Sequence, residues 1–239
     1  MVNMFSGGDA KRWMSLERNG VVVVNIDLAL GINLMDPHVS GYVEELLRSG
    51  KVVAWTAGPP CRTVSVARHR AEEDGGPAPL RSREGEERFG LAQLTAHQRE
   101  MTDNDTALWV KNLYYMRLAR RYNEKVFFFL EQARDPMEWM AKEKLPGQGY
   151  PSFLTWPEML ETMKELGCSK VDADQGCLGH STVKPSTFYT NGEGVKGLHG
   201  VKHKGATGQW PQDLQSRLDW SKSLAAWAPL LGSGHQVGH

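Results

Sequence analysis

A single cysteine that follows a short apolar run constrains this chain more than any other feature. The run Val52–Thr56 is followed by Gly58-Pro59-Pro60, which cannot extend a strand, and then by Cys61. The sequence therefore predicts a buried strand with Cys61 presented at its carboxyl end. Open α/β sheets keep their functional sites at that end of the strands, so Cys61 is a candidate nucleophile.

A second apolar run places a carboxylate in a comparable position. The run Val126–Leu130 predicts another buried strand, and Glu131 follows it directly. Taken alone, such a glutamate more often forms a salt bridge or caps a helix. The apolar run that precedes Glu131, and the cysteine at the end of another core strand, favour a functional role.

Composition limits the partners that the chain can take. The 239 residues suit one α/β domain with decoration, or one domain and a small lobe, and the 28 basic and 28 acidic side chains leave no net charge. Tight non-specific nucleic-acid binding is therefore not expected, although a local basic patch remains open. The three cysteines are widely spaced, and Val21–Val24 is too short to span a bilayer; we expect no leading signal peptide. We expect an intracellular protein without a membrane segment.

Apolar periodicity predicts alternating strands and helices. A strand over Val21–Ile26, a helix over His38–Arg48 and the strand Val52–Thr56 form a βαβ unit, which favours a parallel sheet. Further helices are predicted over 105–121 and 157–166, and late strands over 170–173 and 186–190. The pattern predicts an α/β domain over 1–191, followed by a Gly-rich segment and a C-terminal helix over 192–239. The polar stretch 70–105 reads as a long, partly mobile insertion.

Three motifs stand in the order in which one enzyme family carries them. Met4–Gly8, Gly58–Cys61 and Phe129–Gln132 resemble the cofactor loop, the Pro-Cys nucleophile and the base-contacting glutamate of the DNA cytosine-C5 methyltransferases. The resemblance covers most of residues 4–190. It implies a Rossmann-like methyltransferase fold, with a mostly parallel twisted sheet, helices on both faces and a reduced or absent target-recognition domain.

Shorter segments resemble a divergent branch of that family more closely. Methyltransferase-like domains of protist mobile-element polyproteins carry similar stretches. These stretches are 58–65, 79–82, 105–109, 130–132, 174–180, 184–185 and 190–191. Within a eukaryote, such a domain would act in the nucleus.

The resemblance implies roles for individual residues. Cys61 would add to C6 of a flipped cytosine, Glu131 would contact its N3 edge, and Lys184 would stand where the family has an arginine pair. S-adenosylmethionine would be the cofactor. The residues implied to bind it are Phe5, Ser6, Gly7, Asn25, Asp27, Asn33, Pro60 and Leu108.

Basic side chains near and after the cysteine suggest a path for nucleic acid. Arg62 and Arg68 are expected to lower the pKa of the Cys61 thiol and to contact nucleic acid. Arg81, Arg83 and Arg88 are predicted to contact phosphates, with an ordinary solvated face as the alternative.

Two classes of function remain open on the sequence alone. The first is S-adenosylmethionine-dependent methylation of C5 of cytosine in DNA, with RNA as a weaker alternative substrate. The second is a catalytically silent module with the same fold, which binds nucleic acid or a partner within a larger mobile-element protein. No metal site is predicted, because the cysteine and histidine spacings match no standard zinc ligand set. The residues weighed for zinc are Cys168, Cys177, His180, His199 and His203.

Overall fold

The structure is a computed structural model. In the residues that it describes, six strands and four α-helices form an α/β fold. The structure describes residues 1–7, 17, 19–69, 77–140, 149–178 and 183–202, apart from the side chains of 67, 69, 177 and 178. The strands are β1 (Val2–Met4), β2 (Val24–Ile26), β3 (Ala54–Ala57), β4 (Phe127–Ala133), β5 (Ser169–Asp174) and β6 (Pro185–Thr190). The helices are α1 (Pro37–Arg48), α2 (Ala96–Tyr122), α3 (Pro157–Glu165) and α4 (Glu193–Lys196).

The six strands form one mixed sheet in the order β2-β1-β3-β4-β6-β5. The pairings among β2, β1, β3 and β4 are parallel, whereas β6 runs antiparallel to both β4 and β5. The expectation of a mostly parallel sheet therefore needs correction. A parallel return requires a crossover of about a dozen residues or more. The connection over 175–184 is too short for one, so β6 turns back against β5.

Alternation along the strands divides the interior into two layers. One face of the sheet carries Trp55, Phe128 and Leu130 and is covered by α1, α2 and α3. The opposite face carries a smaller cluster in which Phe188 packs with Val195 of α4. Helices therefore lie on both faces. In the described residues, no helix combines the length and apolar character needed to cross a bilayer.

Helix α2 begins well inside the stretch that the sequence assigned to a mobile insertion. Thr95 caps it by accepting a hydrogen bond from the Gln98 backbone, and the Gln98 side chain accepts from the Thr95 backbone. This reciprocal capping box fixes the start of the helix at Ala96. The prediction of a loop over 96–105 is therefore wrong, and residues 70–76 lie outside the described part of the chain.

The Gly-rich segment after β6 continues the domain as far as it is described. Val195 and Leu198 are buried against β5, and Val201 forms a β-bridge with Ala173. The predicted C-terminal helix lies outside the described residues.

Candidate active site at the carboxyl edge of the sheet

The order of the strands creates a switch point beside β1. The chain passes from β1 to β2 on one side and then returns to β3 on the other. The turns that follow β1 and β3 consequently lie side by side, and the Gly58 N–H donates to the carbonyl of Met4 at 3.3 Å. In open α/β sheets, ligands bind in the crevice outside the carboxyl ends of the strands at such a point.

The cysteine turn, residues 58–61, is held in place by buried side chains. Trp109 of α2 donates its indole N–H to the carbonyl of Pro60 at 3.1 Å. Gln132 of β4 donates to the carbonyl of Pro59 at 3.4 Å. Both side chains are almost fully buried. The half-buried Cys61 is thus presented from a fixed turn at the end of β3, as the sequence predicted.

Glu131 lies beside the cysteine turn with one oxygen occupied and the other facing the turn. Its Oε1 accepts from Gln175 Nε2 at 2.7 Å and from Ser186 Oγ at 3.1 Å, and Lys184 Nζ lies 3.4 Å away. A Cβ placed on Gly58 would lie 3.5 Å from Oε2. Glu131 lies within β4, two residues before its end, so it is held by strand pairing as well as by these donors.

The charges around Cys61 have opposite effects on the pKa of its thiol. Burial is the main cause that raises the pKa of the Cys61 thiol, and the carboxylate of Glu131 raises it further. Lys184 lowers it, and Asp105 raises it slightly. The three residues proposed as catalytic from the sequence are therefore close enough to interact. The thiol is less acidic than an isolated cysteine, so the reactive thiolate is a minority form at neutral pH.

Arg62 and Arg68 are engaged elsewhere. Arg62 forms a forked ion pair with Asp105, with Nη2 to Oδ1 at 3.0 Å and Nε to Oδ1 at 3.1 Å. Arg68 donates to the carbonyl of Arg62 at 2.7 Å and to that of Ala78 at 3.3 Å. The expectation that these two residues lower the pKa of Cys61 is wrong, because the pKa is raised and Lys184 is the cation that opposes the rise.

Arg81 is a core residue. Its side chain is 2% exposed and donates to the carbonyls of Thr102 and Arg88 and to the hydroxyls of Thr63 and Thr106. The guanidinium also lies over the ring of Phe153, 5.1 Å from its centre. The prediction that Arg81 contacts a phosphate is wrong for this conformation, since its donors are already used inside the protein.

Arg83 and Arg88 are paired with carboxylates. Arg83 makes two hydrogen bonds to Asp135, at 2.9 and 2.6 Å. Arg88 binds Glu158 at 3.0 Å. The exposed fractions of the two arginine side chains are 19% and 23%. A phosphate contact by either residue would have to displace its present partner.

The turn after β1 is tied to the end of β2 through Asp27. The Gly7 N–H donates to Asp27 Oδ2 at 2.9 Å, and the Ala29 N–H donates to Oδ1 at 2.7 Å. Phe5 and Gly7 both have positive φ angles, of 58° and 70°. Ser6 donates its hydroxyl to the carbonyl of Gly7. The structure therefore brings together four of the eight residues predicted to bind the cofactor.

The other four residues predicted to bind the cofactor lie outside this turn. Asn25 accepts a hydrogen bond from Asn3 at 2.8 Å, within a polar row across three strands. Asn33 is exposed in a separate turn, where its side chain accepts from the Met35 N–H. Leu108 packs partly buried against the main core on α2, and Pro60 belongs to the cysteine turn.

Gln175 and Ser186 are the functional candidates to which the sequence assigned no role. Both bind Glu131 directly. The available signal was positional, because Gln175 follows the last residue of a strand, as Cys61 follows its own strand. Among the described residues, no group of three or more His, Cys, Asp or Glu side chains is arranged to hold a metal ion.

The chain matches no protein-family model, and no curated protein is significantly similar to it.

Proposed function

We propose that this chain is an S-adenosylmethionine-dependent methyltransferase with a Rossmann-like methyltransferase fold, acting on C5 of cytosine in DNA. The observation that carries the proposal is the meeting of Cys61, Glu131 and Lys184 beside the switch point of the sheet. A nucleophile, a carboxylate and a cation at one strand edge supply the groups that addition to a pyrimidine needs.

Cys61 and Glu131 each have a defined part in the proposed reaction. The Cys61 thiolate forms a bond to C6 of the cytosine, and the displaced electron pair makes C5 nucleophilic. The Glu131 carboxyl group contacts the N3 edge and stabilises the charge that develops there. After methylation, a base removes the C5 proton, and the C6–sulfur bond breaks with its electron pair returning to sulfur, which regenerates the Cys61 thiolate. The base must leave the duplex stack for this, at a cost of a few kcal/mol.

The residues around Asp27 fit the sugar end of the cofactor. Within the described residues, each Asp27 oxygen accepts one backbone N–H, and a carboxylate oxygen has a second lone pair that can accept from a hydroxyl group. Among the described residues, a Cβ placed on Gly7 would meet no atom within 4 Å. Asp27 and the Phe5–Gly7 turn would therefore hold the ribose. When bound, S-adenosylmethionine supplies an electrophilic methyl group.

Trapping with 5-fluorocytosine tests the proposal. Fluorine cannot leave C5 as the proton does, so an active chain incubated with S-adenosylmethionine and a fluorinated DNA duplex should keep a covalent adduct after denaturation. Cys61→Ser should abolish the adduct, and Glu131→Gln should slow its formation about 100-fold or more. Cys168→Ser is the matched control and should leave it unchanged. An adduct that persists in Cys61→Ser would remove Cys61 from this role.

One observation favours a catalytically silent module as the second candidate. The pKa of Cys61 is raised by burial and by Glu131, so the free chain holds little thiolate. A module that only binds a partner needs no thiolate. Calorimetry with S-adenosylmethionine separates the two functions. An absence of binding well above micromolar concentrations would favour the silent module.

A further inference from the structure

The β5–β6 hairpin delivers a closed set of hydrogen bonds to Glu131. Gln175 Nε2 donates to Glu131 Oε1 at 2.7 Å and to Ser186 Oγ at 2.9 Å. Ser186 in turn donates its hydroxyl to the same Oε1 at 3.1 Å. The three side chains are thus joined pairwise by hydrogen bonds, and Ser186 is fully buried.

The backbone of the hairpin fixes where these donors lie. The Gln175 N–H donates to the carbonyl of Lys184 and the Gly176 N–H to that of Val183, each at 3.0 Å. Lys184 has a φ of 38°, a conformation that residues other than glycine rarely adopt. Strained residues of this kind persist where the surrounding structure holds them and are common at functional sites.

These hydrogen bonds leave the two oxygens of Glu131 in different surroundings. Oε1 takes the two neutral donors and has Lys184 Nζ at 3.4 Å. In the described part of the chain, no donor is bonded to Oε2, which faces Gly58 of the cysteine turn. Gly58 has no side chain to cover that oxygen. Among the described residues, the carboxylate is therefore held through Oε1, while Oε2 faces the cysteine turn.

We propose that Gln175 is a positioning residue that, together with Ser186, anchors Glu131 by Oε1 so that Oε2 is presented to a pyrimidine above the cysteine turn. The identity of that pyrimidine rests on the proposed function, whereas the anchoring of the carboxylate does not. If Gln175 had only a structural role, its replacement would affect the stability of the fold alone. If Gln175 positions Glu131, its replacement must also change the electrostatic field that Glu131 exerts on Cys61.

The titration of Cys61 measures that field without any need for methyl transfer. The charged groups that act on the thiol are Glu131, Lys184 and Asp105, the last being paired with Arg62. The amide of Gln175 partly compensates the Glu131 charge. Gln175→Met keeps the length of the side chain but removes the donor. We expect it to raise the thiol pKa and to slow alkylation of Cys61 by iodoacetamide about threefold at neutral pH, which corresponds to half a pKa unit.

A double-mutant comparison decides between the two roles. In a Glu131→Gln background, Gln175→Met should leave the alkylation rate of Cys61 unchanged, because no carboxylate remains to position. Peptide mass spectrometry follows Cys61 and the likewise half-buried Cys168 in the same sample, and an unchanged Cys168 rate excludes general loosening. Equal effects of Gln175→Met in both backgrounds, or no effect in either, would overturn the proposal.

The adduct assay separates this inference from the proposed function. If the wild-type chain traps 5-fluorocytosine, Gln175→Met should form the adduct at least about tenfold more slowly, a loss of roughly 1.4 kcal/mol of transition-state stabilisation. An unchanged adduct rate would overturn the positioning role. If the wild-type chain forms no adduct, the proposed function fails, and the thiol titration alone decides whether Gln175 positions Glu131.

Discussion

Replacing Arg81 by alanine should destabilise the fold. The side chain reaches the carbonyls of Thr102 at 2.6 Å and Arg88 at 2.9 Å, and the hydroxyl of Thr63 at 3.1 Å. Burial lowers the pKa of Arg81 to about 10, so the guanidinium is still charged at neutral pH. The Arg81 side chain therefore connects the segment that precedes α2 with α2 and with the residues just after Cys61.

The size of the loss follows from these contacts. Two backbone carbonyls lose a charged donor inside the protein, at about 1–3 kcal/mol each. The contact with the ring of Phe153 adds roughly 1–2 kcal/mol for a desolvated cation. We expect a loss of about 4 kcal/mol in the free energy of unfolding. With a slope of about 2 kcal/mol per molar urea, the midpoint should fall by roughly 2 M.

Urea unfolding followed by circular dichroism measures this loss. Arg121→Ala is the matched control, because Arg121 is exposed at the end of α2 and its removal should change the unfolding free energy by less than about 0.5 kcal/mol. The reasoning would be refuted if Arg81→Ala changed stability as little as the control while weakening DNA binding and flattening its salt dependence. That combination would place Arg81 on a phosphate rather than in the core.

Two further predictions concern the site itself. Lys184→Met removes the cation that lowers the pKa of Cys61, so the profile of Cys61 alkylation rate against pH should move to higher pH; a move to lower pH would contradict the assigned sign. Asp27→Ala removes the acceptor of the Gly7 N–H and should weaken S-adenosylmethionine binding about tenfold or more in calorimetry. An unchanged affinity would place the cofactor elsewhere.

Apolar patterning was enough to predict most elements. The helix at Pro37–Arg48 and the strand at Phe127–Ala133 lie where periodicity placed them, because each buries one apolar face. Strand β1, Val2–Met4, was missed, since three residues are too few to show a period. The start of α2 was missed because its first turns are mostly polar, although the Thr95–Gln98 capping box was a readable signal.

The site could be predicted in part. The placement of Cys61 and Glu131 at the carboxyl edge of the sheet could be predicted, because each residue lies close in sequence to the apolar run of its strand; their catalytic roles stay predictions. The burial of Arg81 was not, because charge alone does not tell whether a guanidinium meets solvent or backbone carbonyls from distant segments. The contact of Gln175 with Glu131 depends on two strands far apart in sequence being brought into one sheet. No local pattern carries that information.

Arg68 has a consequence for how this domain can change. By donating to carbonyls on both sides of the connection over 69–77, those of Arg62 and Ala78, it closes that connection at its base. Lengthening a loop whose ends are already joined costs only a slowly growing entropy. We therefore expect changes in the length of this connection to leave the cysteine turn in place. Its two joined ends, at Arg68 and Ala78, would then allow a foreign domain to be inserted next to the candidate site.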